Sequence, residues 1–327
     1  MSLAEDMVRV ILDNSPKEPT ALMRALEASG VKVVRGVWEP DGALLERTDA
    51  CFVSLYDCLK HPARVWRLKQ ALRRRGVPLV TWNIDAPGYM NKAPWRLALL
   101  ERAGLIDIYA AHSLADGRRF ARTQLLLQNA ARVEHYNLGG ASLAELDDPA
   151  RYRWDVGFFG AIDGARYKEY RARAGFFAAL GPRLDERGIV HSIVDTLQTP
   201  LGFEEQRARI QATRINLNYG AGCEYGQEVG HGLPERCFGV PACGGFLLSD
   251  RRLHAADAFA PGTEWADYAG LDDAVAKIGH YLANFGEARA IAARAHARVM
   301  REHTYRHRAG QMLAAIARWR GERRRAA

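Results

Sequence analysis

No stretch of the 327-residue chain approaches the ~20 consecutive apolar residues of a membrane-spanning helix, so a spanning role has no support. Cysteine is scarce. Cys51, Cys58, Cys223, Cys237 and Cys243 form an odd set without a C-x-x-C pair, which argues against a disulfide framework or zinc knuckle and for a reducing compartment. The first residues, Met1 to Asp6, lack the basic-then-apolar order of a signal peptide, and the expectation is a cytoplasmic protein. No G-x-S-x-G, P-loop or H-E-x-x-H pattern occurs, and no G-x-G-x-x-G follows the first apolar run. Serine-hydrolase, kinase-type and dinucleotide-fingerprint NAD chemistries lose ground accordingly. Basic charge is also missing from most of the chain, despite a net charge of +8. Tyr305 to Ala327 holds seven arginines against one glutamate, a net +6, which leaves +2 for the other 304 residues. A terminal excess of this kind reads as a solvated helix face, with an anionic membrane surface as the alternative partner, and it speaks against a nucleic-acid binder.

What is present is an alternation of short apolar runs and helical segments in a chain long enough for two domains. Met7 to Leu12, Val31 to Val37, Ala50 to Leu55, Val77 to Trp82 and Leu105 to Ala110 read as strands. Between them fall a helix capped by Thr20 and closed by Gly30, one from Pro62 to Gly76, and one from Pro94 to Arg102. Such spacing predicts right-handed βαβ units and a parallel sheet. The polar passage Leu146 to Tyr152 reads as a connection, which gives domains 1–150 and 151–327. The alternation restarts with Trp154 to Gly160, a helix through Tyr170 to Leu180, Ile189 to Val194, a helix from Glu204 to Ala212, and Ile215 to Gly220. A loop from Gly220 to Gly232 then packs five glycines into thirteen residues, a density suited to close approach of a ligand. Leu271, Val275, Ile278 and Leu282 mark one face of a further helix, and two more follow, roughly Glu287 to Glu302 and His303 to Arg320. The fold class is α/β with two doubly wound lobes, and ligands are expected at the carboxyl ends of the strands.

The stretch Gly232 to Ser249 organises the second half. Pro234 suits the first turn of a short helix, and Gly244-Gly245 ends it ahead of the apolar run Phe246 to Leu248. N–H groups at such a helix start, near Pro234, Glu235 and Arg236, suit a diphosphate. Arg166, Lys168, Arg171 and Arg173 follow the strand that ends at Gly160; Arg171 is the preferred phosphate ligand and Lys168 the next, against an exposed helix face as the alternative. Asn218, Tyr219, Glu228, His231, Glu235 and Arg236 gather polar groups around the glycine-rich loop. Glu235 either answers the helix dipole or grips the vicinal hydroxyls of a ribose. Glu228 and His231 lack metal-ligand spacing. Asp85, in Trp82-Asn83-Ile84-Asp85-Ala86-Pro87, is placed to accept a proton from an acceptor hydroxyl or, equally, to shape an Asx-type turn before Pro87. Asp13, Asn14 and Asp57 are weaker candidates at other strand ends.

The run from Leu233 to Leu247, with Pro261-Gly262-Thr263-Glu264 and Glu302 to Arg308, resembles the carboxyl-terminal half of the CgeB-like, spore-maturation-type glycosyltransferases of the GT-B class, over roughly Asp155 to Leu313. Trp82 to Pro87 is similar to that family's Trp/Asp/Pro segment. The resemblance implies two Rossmann-like domains facing across a cleft, with the last helix crossing back to the first domain. It further implies a nucleotide-sugar donor held mainly by the second domain, an acceptor met mainly by the first, and neither a metal nor a separate cofactor. Many relatives carry a glutamate that holds the donor ribose where this chain has Gly239, and Glu235 lies one helical turn earlier. The expected function is transfer of a sugar from a nucleoside diphosphate to a hydroxyl of a saccharide, lipid-linked or protein acceptor; a nucleotide-sugar epimerase and a catalytically silent nucleotide-sugar-binding protein are the alternatives. The donor site is assigned to Gly160, Lys168, Arg171, Asn218, Tyr219, Gly220, Pro234, Glu235 and Arg236, and the catalytic acid–base group to Asp85.

Overall fold

The computed structural model describes residues 8–14, 20–90, 93–115, 120–222 and 229–326. Cys223 and the candidate Glu228 lie outside them. The chain forms two compact units, Met1–Gln128 with Tyr305–Ala327, and Asn129–Thr304.

The first unit holds a six-stranded parallel sheet of β1 (Val10–Asp13), β2 (Lys32–Arg35), β3 (Ala50–Phe52), β4 (Leu79–Asn83), β5 (Ile108–Ala111) and β6 (Thr123–Leu126), in the order β2-β1-β3-β4-β5-β6. Its four inner strands, β1, β3, β4 and β5, are buried on both faces, which is why they read as apolar runs rather than alternating ones. The Thr20 hydroxyl accepts the Met23 N–H at 3.3 Å and starts the helix Ala21–Ala28 as expected. The helix Leu55–Lys60 and the strand β6 are additions to the sequence reading. In the first case Ser54 interrupts an apolar run, and its hydroxyl accepts the Asp57 N–H at 3.0 Å, so a helix begins where a continued strand was expected. In the second, Thr123–Leu126 is a half-buried edge strand with little pattern of its own.

The terminal helix Tyr305–Ala326 belongs to the first unit, where it packs along Ala21–Ala28 and pairs Arg320 with the Asp49 carboxylate. This is the return to the first domain implied by the resemblance.

The second unit has β7 (Trp154–Gly160), β8 (His191–Asp195), β9 (Thr213–Asn218), β10 (Leu247–Asp250) and β11 (Ala266–Tyr268), all parallel, in the order β11-β10-β9-β7-β8. Leu247 and Leu248 enter different apolar clusters, one around Phe238, Phe259 and Trp265 and the other around Phe176, Phe177 and Ile278, so both faces of this sheet are covered. The strand order reverses between β7 and β9, and the crevice outside their carboxyl ends is the place where such sheets take ligands.

The units divide after Gln128 and not near residue 150. Residues 129–150 lie on the second unit: the Ala131 N–H donates to the His303 carbonyl at 2.9 Å, and the polar passage that resembles a linker forms two short 3-10 turns, Glu145–Asp147 and Pro149–Arg151. Their anchor is Gly244, in the left-handed region at φ +75°, where a Cβ would stand 2.6 Å from Leu146, 3.0 Å from Leu138 and 3.1 Å from Leu143. Gly244→Ala therefore meets backbone strain and overpacking together, each worth about 1–2 kcal/mol. Calorimetry should show the melting transition of this unit falling by roughly 6–12 °C; an unchanged midpoint would mean that the three leucines move aside at no cost.

Candidate functional site

The reversal point is built around two arginines. Arg236 opens the helix Arg236–Ala242, and its side chain runs back over β7 with the guanidinium 4.5 Å from the Phe158 ring centroid. Its Nη1 donates to Asn218 Oδ1 at 3.0 Å, at the end of β9, and its Nη2 to the Phe159 carbonyl, at the end of β7. Gly160 is what allows this approach, because a Cβ there would sit 2.6 Å from Arg236 Nη2. Arg173 reaches the same place from the helix Arg171–Asp185. It is 6% exposed, and donates from Nε to the Tyr219 carbonyl and from Nη1 to the Ala161 carbonyl, both at 2.8 Å. These four acceptors are neutral oxygens, and together they fix the orientation of both guanidiniums at the strand ends.

Arg173 and Arg236 form part of the wall of a cleft of about 450 Å³ within the second unit, together with Gly160, Pro234, Glu235 and Gly239. The loop after β8 adds Thr196, Pro200 and Leu201, and the helix Phe203–Gln211 adds Gln206. The Tyr136 ring covers Gly239, where a Cβ would lie 3.2 Å from it, and the Tyr136 hydroxyl donates to Gln206 Oε1 at 2.5 Å. Burial, and then the charge of Glu235, push the Tyr136 phenol up to about 12, so it stays a neutral donor at physiological pH. Glu235 pairs with Arg132 at 2.8 Å. Burial raises its carboxyl above the ordinary range while Arg132 pulls it back. The arrangement gives a positive end at the strand termini and one carboxylate on the adjoining wall, a volume and polarity suited to a nucleotide.

Of the residues assigned from the sequence, Gly160, Pro234, Glu235 and Arg236 line this cleft. Asn218, Tyr219 and Gly220 support it from behind. Asn218 is fully buried and ties Arg236 to Asp250 through Nδ2 at 2.8 Å; the Tyr219 ring packs 4.6 Å from Phe176; the Gly220 N–H donates to Asp250 Oδ2 at 3.1 Å. Lys168 and Arg171 are exposed on the 3-10 turn and first helical residue after β7, and neither lines the cleft. The short helix also contributes less than its position suggests: Pro234 lies ahead of it, and the Cys237, Phe238 and Gly239 N–H groups donate to the Pro234 and Glu235 carbonyls. Positive charge at the cleft therefore comes from side chains more than from the helix start.

Asp85 lies in the first unit just past the carboxyl end of β4, half-buried, and its carbonyl accepts from Asn83 Nδ2. The turn is thus held by the Asn83 side chain. Asp13 and Asn14 are buried at the end of β1, where Asn14 donates to the Val37 carbonyl at 2.9 Å, whereas Asp57 is buried in the first turn of the helix Leu55–Lys60 and not at a strand end. His231 stacks edge-on to His254.

Arg173 was discoverable, because it shares the i, i+3, i+4, i+7 phase of Phe176, Phe177 and Leu180, the buried face of its helix, whereas Arg171 does not. Tyr136, Thr196 and Gln206 carried no such signal.

A family model described as glycosyl transferase-like matches residues 122–314. No curated protein matches the chain. Among solved structures it is similar to sucrose-phosphate synthase from Thermosynechococcus elongatus, at 12% identity and a TM-score of 0.60 over 97% of this chain and 98% of that one. A glycosyltransferase from Rickettsia africae is similar at 9% identity and a TM-score of 0.57, covering 95% and 98%. Anabaena HepE, solved with UDP, is similar at 12% identity and a TM-score of 0.55, covering 98% and 100%. The family match spans more than half of the sequence and the fold is that of these enzymes: the chain belongs to the glycosyl transferase-like family and is a glycosyltransferase of the GT-B type.

Proposed function

We propose that the enzyme binds a nucleoside-diphosphate sugar in the second-unit cleft and passes the sugar, without a metal, to a hydroxyl of a saccharide, lipid-linked or protein acceptor, as a member of the CgeB-like branch. The observation that carries this reading is the convergence of Arg173 and Arg236 at the reversal point of the sheet, held through neutral oxygens beside a cleft of nucleotide size. HepE, of the same fold, has been solved with UDP and with UDP-glucose, which supports a uridine donor.

In the transfer, the acceptor oxygen forms a bond to the sugar's anomeric carbon, the bond to the β-phosphate oxygen breaks, and the acceptor's proton passes to a general base, the role for which the sequence offers Asp85. The electron pair leaves on the diphosphate, where the two guanidiniums meet the growing charge. Glu235, on the same wall as Gly239, supplies the carboxylate for the ribose hydroxyls.

Thermal unfolding with UDP, GDP and ADP, each with and without EDTA, tests the reading. One diphosphate at about 100 times its Kd should add about 2.7 kcal/mol of stability, with EDTA indifferent. Product analysis with that donor should then show transfer. Asp85→Asn should lower kcat about 100-fold or more with nucleotide affinity intact. Protection by no nucleotide overturns the proposal, and protection without turnover on any acceptor reduces it to nucleotide-sugar binding.

A further inference from the structure

On the first unit, the helices Leu55–Lys60, Pro62–Arg74 and Pro94–Ala103 turn a contrasting surface outward. Four large apolar side chains stand in water there: Tyr56 at 46%, Trp66 at 55%, Trp95 at 61% and Leu99 at 56% exposed. Scattered exposure of this size needs no explanation, but two of these residues, Trp95 and Leu99, line a groove. It measures about 310 Å³ and is walled mainly by Leu59, Trp95, Leu99 and Leu100, with Lys60 and Arg96 beside them. Pro62 also lines it, and Trp66 stands one helical turn further along the same helix.

The charge on these helices has one sign. Seven basic side chains are exposed, from Lys60 and Arg64 through Arg96 and Arg102, while the two carboxylates are withdrawn, Asp57 buried and bonded to Ser54, and Glu101 half-buried. Cations sit directly on the apolar groups: Lys60 lies 5.2 Å from the Tyr56 ring centroid and Arg96 5.3 Å from that of Trp95.

We infer that the outer faces of these three helices are a docking surface for an anionic phospholipid bilayer, with Trp95 and Leu99 entering the acyl boundary and the surrounding arginines and lysine meeting the headgroups. Amphipathic tryptophan beside basic residues is the composition that lies in a membrane interface, and anionic headgroups complement the one-signed charge. A second copy of the chain is a poor occupant, because a two-fold contact would set seven cations against seven.

Flotation of the whole protein with vesicles decides the matter. Vesicles of phosphatidylcholine containing about 30% phosphatidylglycerol should retain at least about ten times more protein than phosphatidylcholine alone, and high salt should release it. Trp95→Ala with Leu99→Ala, and separately Lys60→Glu with Arg96→Glu, should each lower retention about tenfold while melting temperature and nucleotide protection stay as in the wild type. These positions are exposed, so folding is not at risk. Equal retention on both vesicle types, or wild-type retention by both variants, overturns the inference. So does loss confined to a variant in which Arg323, Arg324 and Arg325 are alanine, which would move binding to the terminal run. Sedimentation showing a dimer that Trp95→Ala with Leu99→Ala dissolves would assign the surface to self-association instead.

Discussion

Arg236→Ala should lower kcat/KM by about 10²–10³-fold and weaken UDP binding by at least about tenfold, read by steady-state kinetics and calorimetry. Two losses combine. On the proposed reaction the variant removes a positive charge from beside the departing diphosphate, and it deprives Asn218 Oδ1 and the Phe159 carbonyl of a donor, loosening the ends of β9 and β7. Arg236→Lys keeps the charge but not the planar fork that reaches both strands, and should recover only part of the activity. Arg171→Ala is the matched comparison: its side chain is exposed and outside the cleft, so affinity should change by less than about twofold. Loss in the Arg171 variant with none in the Arg236 variant would return the phosphate to the residue that strand-end proximity favoured.

The sequence carried the fold where local physics decides it. Thr20 as a cap, Gly104 at φ +60° closing Pro94–Ala103, and the apolar runs of doubly covered strands are all short-range signals. The unit boundary is different in kind. Around the true junction Leu127, Ala130 and Ala131 are completely buried, so composition does not change there, while the polar Asp147-Asp148-Pro149 passage is a surface turn of the second unit. Nothing in the pattern of Tyr305–Ala326 says which core it covers, so its return to the first unit was legible only by resemblance. At the site, Gly160 and Arg236 could be named because one ends a strand and the other opens a neighbouring helix. Tyr136 and Gln206 meet across 70 positions of sequence, and only the packed unit brings them together. The preference for Arg171 over Arg173 came from judging the helix start by proximity and ignoring its phase.

Asp250→Ala should destabilise the second unit by about 3–5 kcal/mol, the usual cost of stranding one member of a buried ion pair. The Arg252 side chain is 0% exposed, and its Nη2 donates to Asp250 Oδ2 at 2.9 Å while its Nη1 donates to the Gly232 carbonyl at 3.2 Å. With the carboxylate gone, that cation stays in a site water does not reach. The same carboxylate takes the Gly220 N–H at 3.1 Å and Asn218 Nδ2 at 2.8 Å, so it ties the start of the glycine-rich loop to β10, holds the loop's end at Gly232 through Arg252, and fixes the amide whose oxygen orients Arg236. Chemical denaturation should therefore show the loss of stability, and calorimetry at a temperature where the variant remains folded should show UDP binding weakened about tenfold, although Asp250 lines no part of the cleft. Asp250→Asn keeps the shape and some of the hydrogen bonds but not the charge, and should fall between. If Asp250→Ala unfolds at the wild-type denaturant concentration, Arg252 has found solvent or another partner; if it is destabilised yet binds UDP normally, Asn218 holds Arg236 in place unaided.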